Sequence, residues 1–362
     1  MSKVSPAKPR AVRPRRALLV ALAVAGTLVV GHADAAELNV VAWCDHQDPN
    51  TFEPFEKAND VKVNVKSYEG TGTLVSYIQQ STPGDWDIVS VDSVDIIKLA
   101  KAGLLEPLEE GAYPLDDIYP EIFMPESETL DGKRYGIPEK FGYNALAYNS
   151  KNVDADEIKD LNALLDPKYK DRIAIYDYYF TAIQTAALMN GIEPDEINAE
   201  NMPKIAETLK KLKANAKLFG DIPTVQTALA TGDVDIVFGG AEFLVAGMGD
   251  TKPELTWLLP EQGGLRWQSS IGIFEGSKQK DLAKKFVEWT LSPEGQARFA
   301  QSSCYWGMPG NKKAGPLISD EAKARLQWEE QPAYLERSYA YTATDPELDK
   351  LMVETWAELQ QD

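Results

Sequence analysis

The sequence predicts an α/β protein of two lobes with a cleft and a hinge between them. Three observations carry this. Strand-like and helix-like runs alternate in β-α-β-α-β order from Glu37 to Gly103, the rhythm of a largely parallel sheet with helices on both faces. The chain beyond an expected N-terminal export segment is 327 of 362 residues, too long for one ordinary core. Two strand-rich stretches, 130–150 and 255–274, cross between the halves where a single linker would serve tandem domains, and paired crossings make a hinge.

Residues 1–35 read as a cleaved secretory signal peptide, which predicts a periplasmic protein. "KPRAVRPRR" is basic, Ala17–Val30 is an apolar run of 14 residues, and Ala33–Ala35 ("ADA") supplies the small residues of a cleavage site. The apolar run is shorter than the roughly 18 residues a membrane span needs. Residues 1–35 hold six Lys or Arg and one Asp, so their removal takes the formal charge from −19 to −24. Such a chain repels nucleic acid and anionic lipid and attracts cations.

Glu37–Trp43 reads as a buried first strand, and "PNTFEPFEKAND" as a helix with Phe52 and Phe55 on one face. Val61–Glu69 alternates as a half-exposed strand, and "GTGTLV" then opens a helix. "DWDIVSVDS" is a short strand, followed by a helix that Gly103 closes. "LDGKRYGIPEKFGYNALAYNS" turns at Asp131–Gly132 and continues as two strand-like runs parted by Gly142; it is the crossover into lobe two. "RIAIYDYYFTAIQTAALMNG" gives strand, loop and helix, "MPKIAETLKKLKANA" an amphipathic helix, and "VQTALATGDVDIVFGG" a helix then a strand. "LTWLLPEQGGLRWQSSIGIF" is the return crossover, and "DLAKKFVEWTLSPEGQARFAQ" a helical pair. The expected division is lobe one over 36–140, lobe two over 141–269, and a return to lobe one with the C-terminal helices over 270–362.

Catalytic chemistry finds little support. His46 is the one histidine beyond residue 35, and no CxxC, HExxH or G-x-S-x-G occurs, so zinc sites and hydrolytic triads lack their residues. "GTGTLV" has Val75 where a dinucleotide fingerprint has its third glycine; a helix N-terminus facing the cleft is the better reading. No cofactor and no metal are expected. Two cysteines, Cys44 and Cys304, in an exported chain predict one disulfide, two free thiols being the alternative. Aromatic residues crowd the strand ends, where α/β folds place ligands: Trp43, Tyr68, Phe141, Tyr143, Tyr176, Tyr178, Tyr179, Phe180 and Trp267. Asp45, Asp92, Asp95, Glu139, Asp177 and Glu242 fall among them. Aromatic faces and carboxylates together suit a cation.

"GDWDIVSVDSVDIIKLAKAGLLEPLE", "LDGKRYGIPEKFGYNALAYNS", "LLDPKYKDRIAIYD", "ATGDVDIV" and "LPEQGGLRWQSSIGIF" occur in that order. Over nearly the whole chain beyond residue 35, the sequence resembles the type II periplasmic solute-binding proteins of ABC transporters, and within them the spermidine/putrescine-binding branch. The resemblance implies a non-enzymatic, monomeric receptor that closes two lobes on a small cationic, polyamine-like solute. It implies delivery to a permease and its ATPase at the inner membrane, with no nucleic-acid partner. It places Trp43, Cys44 and Asp45 on the lip after strand one, where Trp43 would stack on the ligand and Asp45 would pair with a cationic group. Asp92 and Ser93 fall on the loop after the "DWDIV" strand, and Trp267 forms an indole wall. Tyr305 and Trp306 are candidates for further aromatic surface. The family's usual acid two residues past that tryptophan is here Ser269, and the second-lobe loop keeps Asp177 with Tyr178. The family's strand after "ATGDVDIV" usually ends near a tryptophan, where this chain has "FGGAE"; Glu242, Asp45 and Asp92 could replace the missing acids. The alternatives are the same receptor role for a quaternary amine or amino-acid-like ligand, a periplasmic sensor, or a secreted enzyme.

Overall fold

A computed structural model describes Met1 and residues 36–68, 71–341 and 344–361. The expected signal peptide lies outside the described residues, as do Glu69 and the first glycine of "GTGTLV".

The first half follows the predicted alternation. Strand β1 (Ala36–Ala42) leads to helix α1 (Pro49–Asn59), which Asp48 caps by accepting from the Asn50 N–H and which buries Phe52 and Phe55. Strand β2 (Val61–Ser67), helix α2 (Thr71–Gln80), strand β3 (Ile88–Asp92) and helix α3 (Ser93–Lys101) follow. Strand β1 pairs in parallel with both β2 and β3. Helix α3 ends as expected: Gly103, at φ +70°, donates to the Ala100 carbonyl.

Helix α4 (Pro125–Glu128) and the two-residue strands β4 (Thr129–Leu130) and β5 (Lys133–Arg134) form a hairpin turned by Asp131 and Gly132, both at positive φ. Strand β6 (Ile137–Asn149) then runs 13 residues without a break, where the sequence suggested two runs. Gly142 marks a close approach in place of an interruption. A Cβ there would lie 1.8 Å from Glu242 Oε1 and 2.4 Å from the Trp267 ring.

The second half holds helix α5 (Ala155–Ile158), strand β7 (Ile173–Tyr176), helix α6 (Tyr179–Met189), helix α7 (Met202–Asn215), strand β8 (Ala216–Gly220), helix α8 (Ile222–Thr231), strand β9 (Ile236–Gly240), helix α9 (Glu242–Val245), strand β10 (Leu255–Leu258) and strand β11 (Leu265–Ile273). Strand β7 is parallel to β8 and β9. The sheet order is β2-β1-β3-β11-β6-β9-β7-β8. Each half is thus a parallel triplet, and β11 and β6 join them as antiparallel crossing strands. Both crossing strands shift register where they change partners, β11 at Ser269/Ser270 and β6 at Ala145/Leu146; such bulges twist a sheet. The continuous sheet gathers the described residues from Ala36 on into one unit.

Helices α10 (Lys280–Leu291) and α11 (Pro293–Phe299) return to the first half, where Phe286 packs on Phe52 and Phe55. Strand β12 (Met308–Pro309), helix α12 (Asp320–Arg325), helix α13 (Gln331–Glu336), strand β13 (Tyr339–Ala340) and helix α14 (Pro346–Gln361) complete the chain. Not all of 270–362 packs on the first half. Strand β13 pairs with β11, and α14 lies on α6 and α7 of the second half. Its apolar side (Met352, Trp356, Leu359) is buried with Ile205, Leu209 and Leu212, a surface those helices must cover. The chain therefore crosses between the halves three times.

Cys44 and Cys304 are bonded, with Cα atoms 5.9 Å apart and 260 residues between them. The closed loop restricts the unfolded chain, so replacing both cysteines with serine is expected to cost about 2–4 kcal/mol. Guanidinium midpoints of the two proteins check this, and equal midpoints would contradict it.

Candidate functional site

The carboxyl ends of the parallel strands from both halves converge on one cavity. Trp43 and Asp45 follow β1, and Asp92 ends β3. Tyr176 ends β7, with Tyr178 just beyond it; Ile222 follows β8, and Phe243 follows β9. The crossing strands supply the floor through Asn144 of β6 and Trp267 and Ser269 of β11; Tyr305 and Tyr341 close the sides. This is where α/β sheets bind ligands, because the loops beyond the strands diverge there.

Six of the nine sequence-predicted ligand residues line this cavity: Trp43, Asp45, Asp92, Tyr178, Trp267 and Ser269. Three do not. The Ser93 hydroxyl is buried behind the wall, 2.6 Å from Ser270 Oγ and 3.1 Å from the Gln268 carbonyl. Asp177 turns outward and accepts from Trp356 Nε1 at 2.8 Å and Gln360 Nε2 at 2.6 Å; the C-terminal helix claims it. Glu242 is buried behind Trp267, where Oε1 accepts from the Tyr143 N–H at 2.9 Å. Burial pushes its carboxyl up to about 8 against that hydrogen bond, which leaves it neutral at pH 7.

The walls are mostly aromatic. Trp43 packs on Tyr68 with ring centres 4.7 Å apart, and the Tyr68 hydroxyl donates to the Ser90 carbonyl. Tyr178 sits 5.9 Å from Tyr176, which in turn lies 6.4 Å from Phe243. Tyr341 donates to Asn144 Oδ1 at 2.5 Å, and Asn144 Nδ2 donates to the Gly239 carbonyl at 3.0 Å. Both ends of that amide are therefore committed within the protein. The buried Trp43 indole N–H has no hydrogen-bond partner among the described residues.

Asp45 is not the open carboxylate that the sequence suggested. Its Oδ2 accepts from Lys140 Nζ at 2.9 Å and its Oδ1 pairs with His46 Nδ1 at 2.9 Å. His46 Nε2 lies 3.3 Å from Glu139, which also accepts from Ser90 Oγ. All four charged side chains are at most 5% exposed. Burial opposes the Asp45 charge, but Lys140 and His46 outweigh it and hold the carboxyl well below the usual carboxylate range. Burial likewise opposes the imidazolium, but Glu139 and Asp45 raise His46 to about 9. Two cations balance two anions. Lys140 Nζ also donates to the Tyr305 carbonyl at 2.6 Å and to Ser302 Oγ at 3.3 Å. The quartet and the disulfide together fix the loop that brings Tyr305 to the cavity.

Asp92 is different. No hydrogen bond or close ion pair ties its carboxylate to another described residue. Burial, with Asp95 one turn on, pushes its carboxyl up to about 8, against a smaller pull from Lys98. Lys98 itself pairs with Asp95 at 2.6 Å. Asp92 is thus a buried acid at the cavity with no close ion-pair partner among the described residues.

Sequence reasoning missed Lys140, Asn144, Ile222, Phe243 and Tyr341. The signal for Lys140 was present: a Glu-Lys pair inside the apolar run "IPEKFGYNALAY" needs partners if that run is buried. The others reach the cavity through topology alone. Among the described residues no helix is long and apolar enough to cross a membrane.

Residues 50–331 match the family model of the bacterial extracellular solute-binding proteins, and the chain belongs to that family. It is a type II solute-binding protein built like the spermidine/putrescine branch. The spermidine/putrescine-binding periplasmic protein of Salmonella typhimurium is 26% identical over 310 residues, covering 84% of this chain and 87% of the relative. The putrescine-binding periplasmic protein PotF of Escherichia coli is 21% identical, covering 92% and 93%. The crystal structure of the spermidine/putrescine ABC transporter substrate-binding protein PotD of Streptococcus pneumoniae superposes with a TM-score of 0.77 at 20% identity, covering 90% of this chain and 99% of that one. These relatives are named as binding proteins and not as enzymes.

Proposed function

We propose that the protein is an exported, non-enzymatic receptor that captures a small organic cation of the polyamine type and delivers it to an ABC permease and its ATPase at the inner membrane. The observation that carries this reading is the aromatic cavity holding Asp92, a buried acid with no close ion-pair partner among the described residues. An ammonium group there would favour the ionised Asp92 carboxylate and meet aromatic faces, each worth about 0.5–2 kcal/mol when partly desolvated. The polyamine-binding relatives and the acidic chain support the same class. In this reading Trp43, Asp92, Tyr178, Trp267 and Ser269 touch the ligand, and Asp45 shapes the wall. The periplasm is the expected location, since the relatives' names place them there and residues 1–35 read as a signal peptide.

The two halves act as lobes, roughly 36–140 with 270–300 and 141–269 with the C-terminal helix. Ligand contacts from both sides stabilise the closed arrangement and shift the population toward it, with bending taken up at the bulged crossing strands. Trp43→Ala and Trp267→Ala, one wall from each of two elements, are each expected to weaken putrescine binding at least tenfold in calorimetric titration while leaving far-UV circular dichroism unchanged. Unchanged affinity in both variants would remove the aromatic wall from the account.

A further inference from the structure

The receptor reading leaves open how many cationic groups of a ligand the cavity holds. Two described acids line it, Asp45 and Asp92. Asp45 has both oxygens engaged, one by the Lys140 ammonium at 2.9 Å and one by His46 at 2.9 Å. Lys140 is wholly buried and belongs to a quartet whose charges cancel. A second ligand ammonium at Asp45 would meet Lys140 already seated there. The Asn144 Oδ1 already accepts from Tyr341 and its Nδ2 donates to Gly239, and as a neutral amide it supplies no counter-charge to an ammonium. Asp177 and Glu242, the other acids expected at the cleft, face away from it or lie behind its wall.

Resting on the receptor reading above, we infer that the cleft grips one ammonium head, at Asp92, and that Lys140 is the residue that makes the grip one-ended by occupying Asp45 with an ammonium of the protein's own. The second amine of a diamine gains no charge partner among the described residues. A ligand is recognised by its head and by the fit of its chain against the aromatic walls. Lys140 is a specificity-determining residue acting through Asp45, without itself touching the ligand.

The test is a calorimetric titration of refolded, ligand-stripped protein with putrescine and with n-butylamine, which has the same carbon chain and a single ammonium. A one-ended grip predicts dissociation constants within about threefold, a factor of two being statistical. Lys140→Met leaves the remaining trio one negative charge in excess, so putrescine is then expected to gain about tenfold over n-butylamine. Putrescine binding the unaltered protein tenfold or more tightly than n-butylamine overturns the one-ended grip while keeping the receptor reading. Binding of neither amine overturns the receptor reading itself. If Lys140→Met does not fold, the comparison on the unaltered protein decides alone.

Discussion

Lys140→Met is expected to cost about 3–5 kcal/mol of folding stability, the penalty for breaking a buried ion pair from one side. The lysine has no solvent to fall back on, and neither has Asp45. Removing the ammonium leaves His46 as the lone cation beside Asp45 and Glu139, and unties the Tyr305 carbonyl and Ser302. A change of under 1 kcal/mol in denaturant unfolding would show that the four charges are not coupled. The quartet also sets a pH window. His46 is raised from 6.5 to about 9, so its contribution is complete below pH 6.5 and lost as pH rises through 9. Asp45 is lowered from 3.8, so its contribution is present above pH 3.8 and lost as pH falls below it. The protein is therefore expected to be less stable at pH 9.5 than at pH 6.

Asp92→Asn is expected to weaken binding of an ammonium ligand by about 10- to 100-fold, the worth of a charge-assisted contact in a desolvated site. Its shape is nearly that of the acid, so packing changes little. The proton gives a second readout. In the empty cleft the Asp92 carboxyl is raised to about 8, so at pH 6–7 it carries a proton. Asp95 and Lys98 act on it from α3, Tyr68 from beside β3, and Tyr178 and Tyr341 from the cavity lining. A bound ammonium favours the ionised form, so binding releases that proton. Affinity then rises with pH, by up to about tenfold per unit, and levels off above 8. Asp92→Asn should flatten this slope as well as lower it. An unchanged slope would assign the proton elsewhere.

Much of the architecture was legible because it rests on local rules. The switch from strand to helix spacing and the Gly103 stop sit where the residues allow little else. The lip at Trp43 and the indole at Trp267 were also readable, since aromatics at strand ends are unusual unless a cleft needs them. What escaped were pairings between distant segments. Asp45 and Asp177 look alike as acids beside aromatics. Lys140, 95 residues on, neutralises the first, and Trp356 and Gln360, on the last helix, take the second. Gly142 reads as a strand breaker until the Trp267 ring is seen to fill the space above it. The return of the C-terminal helix to the second half was likewise hidden, because an amphipathic pattern names an apolar face without naming what covers it.

The most direct test of the account is thermal unfolding of refolded, ligand-stripped protein with putrescine or with 1,4-butanediol, its neutral counterpart of equal chain length. At 100 times its dissociation constant a ligand adds about 2.7 kcal/mol of stability, enough to move the melting temperature by a few degrees. The account predicts that putrescine raises the melting temperature and the diol does not. Equal shifts with both, or no shift with putrescine at millimolar concentration, would contradict a cation receptor built around Asp92.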